Sequence, residues 1–90
     1  MEEKEAFIRE YIKSNGMIYI EIPKDCLDNV YQLYKNNVIN KKEISENDMG
    51  LLYYGAFFDI KKRKKEAERY YRKAASLGNK YAMHNLGTFC

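Results

Sequence analysis

An all-α fold is predicted for this 90-residue chain: a short α/α solenoid of antiparallel helix pairs, with a brief extended segment near residues 17–22. Three observations carry that expectation. Met49-Gly50 and Leu86-Gly87 stand 37 residues apart, with Ala67, Tyr70, Tyr71, Ala74, Ala75 and Gly78 between them. A fixed period of roughly 20 to 50 residues marks stacked supersecondary units. Apolar residues recur at steps of three and four in successive windows, and Asn-Gly, Asn-Asn and Leu-Gly pairs fall where each window ends.

The first helix is expected over Glu2 to Ser14, where Phe7, Ile8, Tyr11 and Ile12 form one stripe and Glu5 supports Arg9 four residues on. Asn15-Gly16 ends it as a left-handed stop. From Met17 to Ile22, Ile18, Ile20 and Ile22 alternate with Tyr19 and Glu21, so this stretch reads as extended. A lone strand has no partner for its backbone, which leaves two readings: a strap over the helices, or a strand that pairs with a second copy of the chain.

Pro23 suits a first helical turn, and Leu27, Val30, Tyr31 and Tyr34 mark the inner face of a second helix closed by Asn36-Asn37. Asn40 to Glu43 reads as a linker. Ser45 followed by Asp48 resembles a helix start, and Met49, Leu52, Tyr53 and Ala56 give the stripe of a third helix. Leu51, Tyr54 and Phe58 fall on its other side, and a helix that is apolar nearly all round needs cover on more than one side. After Lys61 to Lys65, Ala67, Tyr70, Tyr71 and Ala74 build a fourth helix that Glu68 and Arg72 support and Leu77-Gly78 ends. Ala82, Leu86 and Phe89 open a fifth.

Composition narrows the function classes. At 10.7 kDa the chain is one domain, able to bury about two-thirds of the surface its unfolded form exposes. No apolar run approaches the roughly 20 residues that cross a bilayer, and the first residues show no basic segment followed by an apolar one. A cytoplasmic setting is expected. Cys26 and Cys90 lack Cys or His neighbours at metal spacing, so two reduced thiols, no metal and no cofactor are expected.

Residues 45–90 carry an order of motifs: a Met49-Gly50 pair, Asp59, Lys65-Glu66-Ala67, then Tyr70-Tyr71-Arg72-Lys73-Ala74-Ala75, Gly78-Asn79, and Ala82-Met83 followed by Asn85-Leu86-Gly87. That order and spacing resemble the Sel1-like repeat, a relative of the tetratricopeptide repeat built of stacked helix pairs. The resemblance covers half the chain: one full unit plus the first helix of the next. Residues 1–44 lack the motif and are expected to form an N-terminal helical cap, since terminal units are often atypical. Gly50, Ala67, Ala74 and Gly87 are expected to let helix axes approach, with Tyr70, Tyr71 and Leu86 filling the gaps. The family's glycine six residues after the Leu-Gly glycine is Ala56 here, with Gly55 one place earlier.

The resemblance implies a non-enzymatic adaptor or scaffold that binds a peptide or protein on its concave face. The expected inner surface comprises Leu51, Tyr54, Phe58, Tyr81, His84, Asn85 and Thr88. Self-association is the second reading, through Leu86 and Phe89 or through residues 17–22. His84 is the only histidine and has no carboxylate three or four residues away, and no glycine pattern matches a phosphate-binding loop, so catalysis is not expected. The basic run Lys61, Lys62, Arg63, Lys64 and Lys65 breaks a local rule, because positive charge at a helix start opposes the macrodipole. It reads as a solvated turn, a nuclear import signal, or a contact for phosphate or an acidic partner. The net charge of +3 is too small to argue nucleic acid by itself, so nucleic acid is not the expected partner, and a small basic nuclear or nucleic-acid-binding protein acting through Lys61 to Lys65 is the alternative reading.

Overall fold

A computed structural model describes residues 2–39 and 47–88, in which five α-helices and no strand occur. They are α1 (Glu3–Ser14), α2 (Lys24–Asn36), α3 (Asp48–Ile60), α4 (Lys64–Ser76) and α5 (Lys80–Gly87). Each packs on the next in chain order, and the α3–α4 pair shares the most extensive interface. The expected linker at residues 40–43, Ser45, Phe89 and Cys90 lie outside the described residues.

Local chemistry accounts for the helix ends. α1 carries Glu3 and Glu5 in its first turn and Lys13 in its last, each sign where the helix dipole favours it. It stops at Gly16 (φ 78°), where the Met17 N–H donates to the Ile12 carbonyl (3.2 Å) and the Gly16 N–H to that of Lys13 (3.0 Å). α4 ends by the same motif at Gly78 (φ 93°), with Asn79 donating to Ala74 and Gly78 to Ala75. α2 closes at Asn37, also left-handed. α3 starts one residue after Asn47, whose side-chain oxygen accepts from the Met49 N–H (3.0 Å) and the Gly50 N–H (3.4 Å). The cap is therefore Asn47.

Burial of α3 is continuous: every residue from Gly50 to Phe58 is inside. Phe57 meets Tyr34 of α2 (5.2 Å) and Tyr11 of α1 (6.3 Å), while Tyr54 and Phe58 meet Tyr70 of α4. The two halves share one core, joined also by the Tyr34 hydroxyl, which donates to the Tyr53 carbonyl (2.8 Å). α4 differs in being strictly two-sided, with Ala67, Tyr70, Tyr71 and Ala74 inside and a charged outer face.

Close approach of α3 to α4 rests on Gly55. A Cβ there would lie 2.5 and 2.6 Å from ring carbons of Tyr71, so only glycine admits that ring. Gly50 is in ordinary contact range of Cys26, and Gly87 faces open space, so the expected role of Gly87 in helix approach is not seen.

Residues 17–22 cross the helices as an irregular strap. The Ile20 N–H donates to the Tyr53 hydroxyl (2.8 Å), Ile22 is buried, and the Tyr19 ring lies between Tyr53 and the Arg9 guanidinium. The expected alternation does not hold: Ile18 is 87% exposed while Ile22 is 3% exposed, and Tyr19, on the opposite set, packs inward. Without a paired strand there is no pleat to enforce a period of two.

Candidate functional site

The seven residues expected to share one inner surface divide into two groups. Leu51, Tyr54 and Phe58 are 1%, 1% and 4% exposed, which corrects the expectation that they present a binding face. Tyr54 and Tyr70 have ring centroids 5.6 Å apart, and Phe58 stacks on Tyr70 at 5.5 Å with planes 5° apart. The side of α3 they occupy is covered from within the chain, because α4 has a single apolar face and turns it onto α3.

Tyr81, His84 and Thr88 are exposed and fall three and four residues apart, on one side of α5. Asn85 and Leu86 sit at the margin of the core, and Ala82 is the helix's one buried residue. Leu86, expected to bury against a second copy, is already packed on this chain's core. Leu77, at the end of α4, and Met83, across Ala82 from Tyr81 on α5, are also about half exposed, and the sequence reading missed both.

Asn79 fixes where α5 begins. Only 4% exposed, it accepts from the Ala82 N–H (2.8 Å) and donates to the Asp48 carboxylate (2.9 Å) and the Met49 sulfur (3.3 Å). One amide thus caps α5 and ties it to the first turn of α3. An Asn placed three residues before Ala82 and directly after a left-handed glycine is a legible N-cap signal.

Three tyrosine hydroxyls act as latches. Tyr71 donates to Asp59 (3.1 Å), and its pKa is raised, first by burial and then by the Asp59 charge. Burial likewise pushes Tyr34 and Tyr53 up. All three hold their protons at neutral pH.

Beside the strap, Ile12, Met17, Leu52, Ala56 and Asn85 help line a half-open cleft of about 30 Å³, room for a single water. A shallower hollow of about 290 Å³ opens between Asn15, Met17, Asp59, Ile60 and Lys62. Among the described residues no three His, Cys, Asp or Glu side chains converge on a metal-sized site, and no helix is long and apolar enough to cross a membrane.

The basic run spans the α3–α4 turn. Lys61 and Lys62 follow the C-terminus of α3, where positive charge is favourable, so the dipole objection applies only to Lys64 and Lys65. The Lys61 ammonium lies 5.4 Å from the Phe57 ring centroid, and Arg63 lies 5.3 Å from that of Phe58 while pairing with Glu66 (2.8 Å). Lys62 takes φ 63°, with the Arg63 N–H donating to the Phe58 carbonyl and the Lys62 N–H to that of Asp59. This is the motif found at Gly16 and Gly78, built here on a lysine.

Protein-family models, curated proteins and solved structures yield no match to this chain.

Proposed function

We propose that the chain is a small, non-enzymatic scaffold of Sel1-like type, working in the cytoplasm, whose partner is a protein segment laid along the uncovered side of α5. The observation that carries this reading is the state of α5. It buries Ala82 alone, while Leu77, Tyr81 and Met83 leave about half of their surface in water. Tyr81 and Met83, two positions apart, flank the buried Ala82 on either side, with Lys80, His84 and Thr88 between them on the outer side of the helix; half-exposed apolar side chains of this kind are the anchors that a protein segment covers. The α3–α4 hairpin, with Gly55 admitting Tyr71 and with Ala67 and Ala74 fully buried, supports the repeat reading by supplying the small-into-large packing that stacked helix pairs use.

The test is a double variant, Tyr81→Ala with Met83→Ala, compared with the intact chain as bait in quantitative capture. Both side chains are half exposed, so stability should change by no more than about 0.5 kcal/mol per site. Specific loss of a captured protein at unchanged helicity is expected; an identical capture profile would refute the α5 surface. Light scattering over a range of concentrations tests self-association. A mass that rises with concentration in the intact chain and not in the double variant would make a second copy the occupant.

A further inference from the structure

Charge in this chain is segregated far more than its net value of +3 suggests. Residues 59–80 hold nine Lys and Arg against three Asp and Glu, whereas residues 1–58 hold seven against ten. Lys65, Arg69, Arg72 and Lys73 form one ridge along the outward side of α4, opposite Ala67, Tyr70, Tyr71 and Ala74; Lys62 and Lys64 stand before its leading end, at the α3–α4 turn, and Lys80 beyond its far end, at the start of α5. All seven are exposed, and the helix beneath them runs about 20 Å. We infer that this ridge is a second interaction surface, distinct from the uncovered side of α5, that binds the phosphate backbone of nucleic acid without reading its sequence.

Two features support a functional ridge over an inert one. The turn at Lys62 has the same hydrogen-bond pattern as those at Gly16 and Gly78, yet it carries lysine where the fold's own usage is glycine. Lys64 and Lys65 stand in the first turn of α4, where carboxylates would be favoured. Departures from local rules of folding concentrate where function demands them. Both departures add positive charge at the leading end of α4.

The arginines decide what kind of contact this is. Base edges are read chiefly by bidentate guanidinium groups. Arg72 is held by Glu68 through two hydrogen bonds (2.8 and 3.1 Å), Arg63 by Glu66, and Arg69 lies over the Tyr70 ring. The other cations of the set, Lys62, Lys64, Lys65, Lys73 and Lys80, are exposed lysines, point charges suited to phosphate. The ridge is also the convex outer side of a helix, a shape that can lie along a phosphate backbone.

Fluorescence anisotropy with labelled single-stranded and duplex oligonucleotides of roughly twenty nucleotides tests the inference on the full chain. Binding is expected at low salt for both forms, with similar affinity for unrelated sequences. With about four phosphates engaged, affinity should fall about a hundredfold between roughly 50 and 200 mM salt. The triple variant Lys64→Gln, Lys65→Gln, Lys73→Gln should lose at least about tenfold, whereas Lys13→Gln, Lys24→Gln, Lys35→Gln, which removes as much charge from α1 and α2, should not. The salt slope of the unaltered chain stands by itself should a variant misfold. The inference is overturned by absence of binding at low salt, by equal losses in the two triple variants, or by polyglutamate or anionic vesicles binding the ridge as tightly as nucleic acid.

Discussion

Replacing Lys62 by glycine should stabilise the protein. At φ 63° an L-residue brings its Cβ against the following carbonyl, a cost of about 1–2 kcal/mol that glycine avoids. Glycine gives part of this back, since its freer unfolded chain costs about 0.4–1 kcal/mol to order. Losing one exposed cation behind the C-terminus of α3 removes about 0.3 kcal/mol more. The balance favours Lys62→Gly by about 0.5 kcal/mol, a rise of about 2–4 °C in Tm for a domain of this size. Lys62→Ala separates the causes, because it discards the charge but keeps the Cβ, and it should bring no gain. Gly78→Ala is the reciprocal experiment: the added Cβ meets nothing within 4 Å, so its expected cost of about 1 kcal/mol is purely one of backbone. Denaturant unfolding followed by far-UV circular dichroism, read as a midpoint shift at constant slope, measures all three. A lower midpoint for Lys62→Gly, or a higher one for Gly78→Ala, would show that the left-handed turns do not carry the strain assigned to them.

Gly55→Ala should destabilise by about 1–3 kcal/mol, because the buried Tyr71 ring at 2.5 Å has no free volume into which to retreat; an unchanged midpoint would contradict the close approach of α3 to α4. Tyr54→Ala and Phe58→Ala should each cost about 3–5 kcal/mol, as expected of aromatic core truncations, and either one keeping full stability would return it to the list of surface residues. High pH should unfold the protein. Tyr34, Tyr53 and Tyr71 have raised pKa values when folded, so above about pH 10 the unfolded chain releases protons that the folded chain retains. Their contribution is complete below that pH and is lost above it by about 1.4 kcal/mol per pH unit per tyrosine. Phenolate absorbance recorded beside helicity checks this: titration of all nine tyrosines before any loss of helix would refute it.

Among the described residues the helices and most of their stops were legible in the sequence because both are local, the Asn47 cap of α3 and the left-handed Lys62 being the exceptions. Steps of three and four mark a face, and glycine or asparagine at a stop marks a φ value, as at Gly16, Asn37 and Gly78. The Glu5–Arg9 and Glu68–Arg72 pairs, read from spacing alone, form at 3.4 and 2.8 Å. The assignment of Leu51, Tyr54 and Phe58 failed for a definite reason. A helix that is apolar all round contains no information about which neighbour covers which side.

That information lies in α4. Its charged and apolar faces are sharply divided, so its one inward side must be covered by something, and the helix joined to it by a three-residue turn is the nearest candidate. That one apolar side sets Tyr70 against α3 and so takes Tyr54 and Phe58 out of the exposed set. The same order of inference explains why α5 presents Tyr81, His84 and Thr88. Its inward side is short, limited to Ala82 and the flanking Asn85 and Leu86, so what surrounds that side faces water whatever its polarity. The leading end of the ridge was legible as the basic run Lys61 to Lys65, but its continuation through Arg69, Arg72 and Lys73 was hidden, since a net charge averages two parts of opposite sign. Only the division of the chain at Asp59, together with a helix that turns its apolar residues inward, converts a charge surplus into a surface.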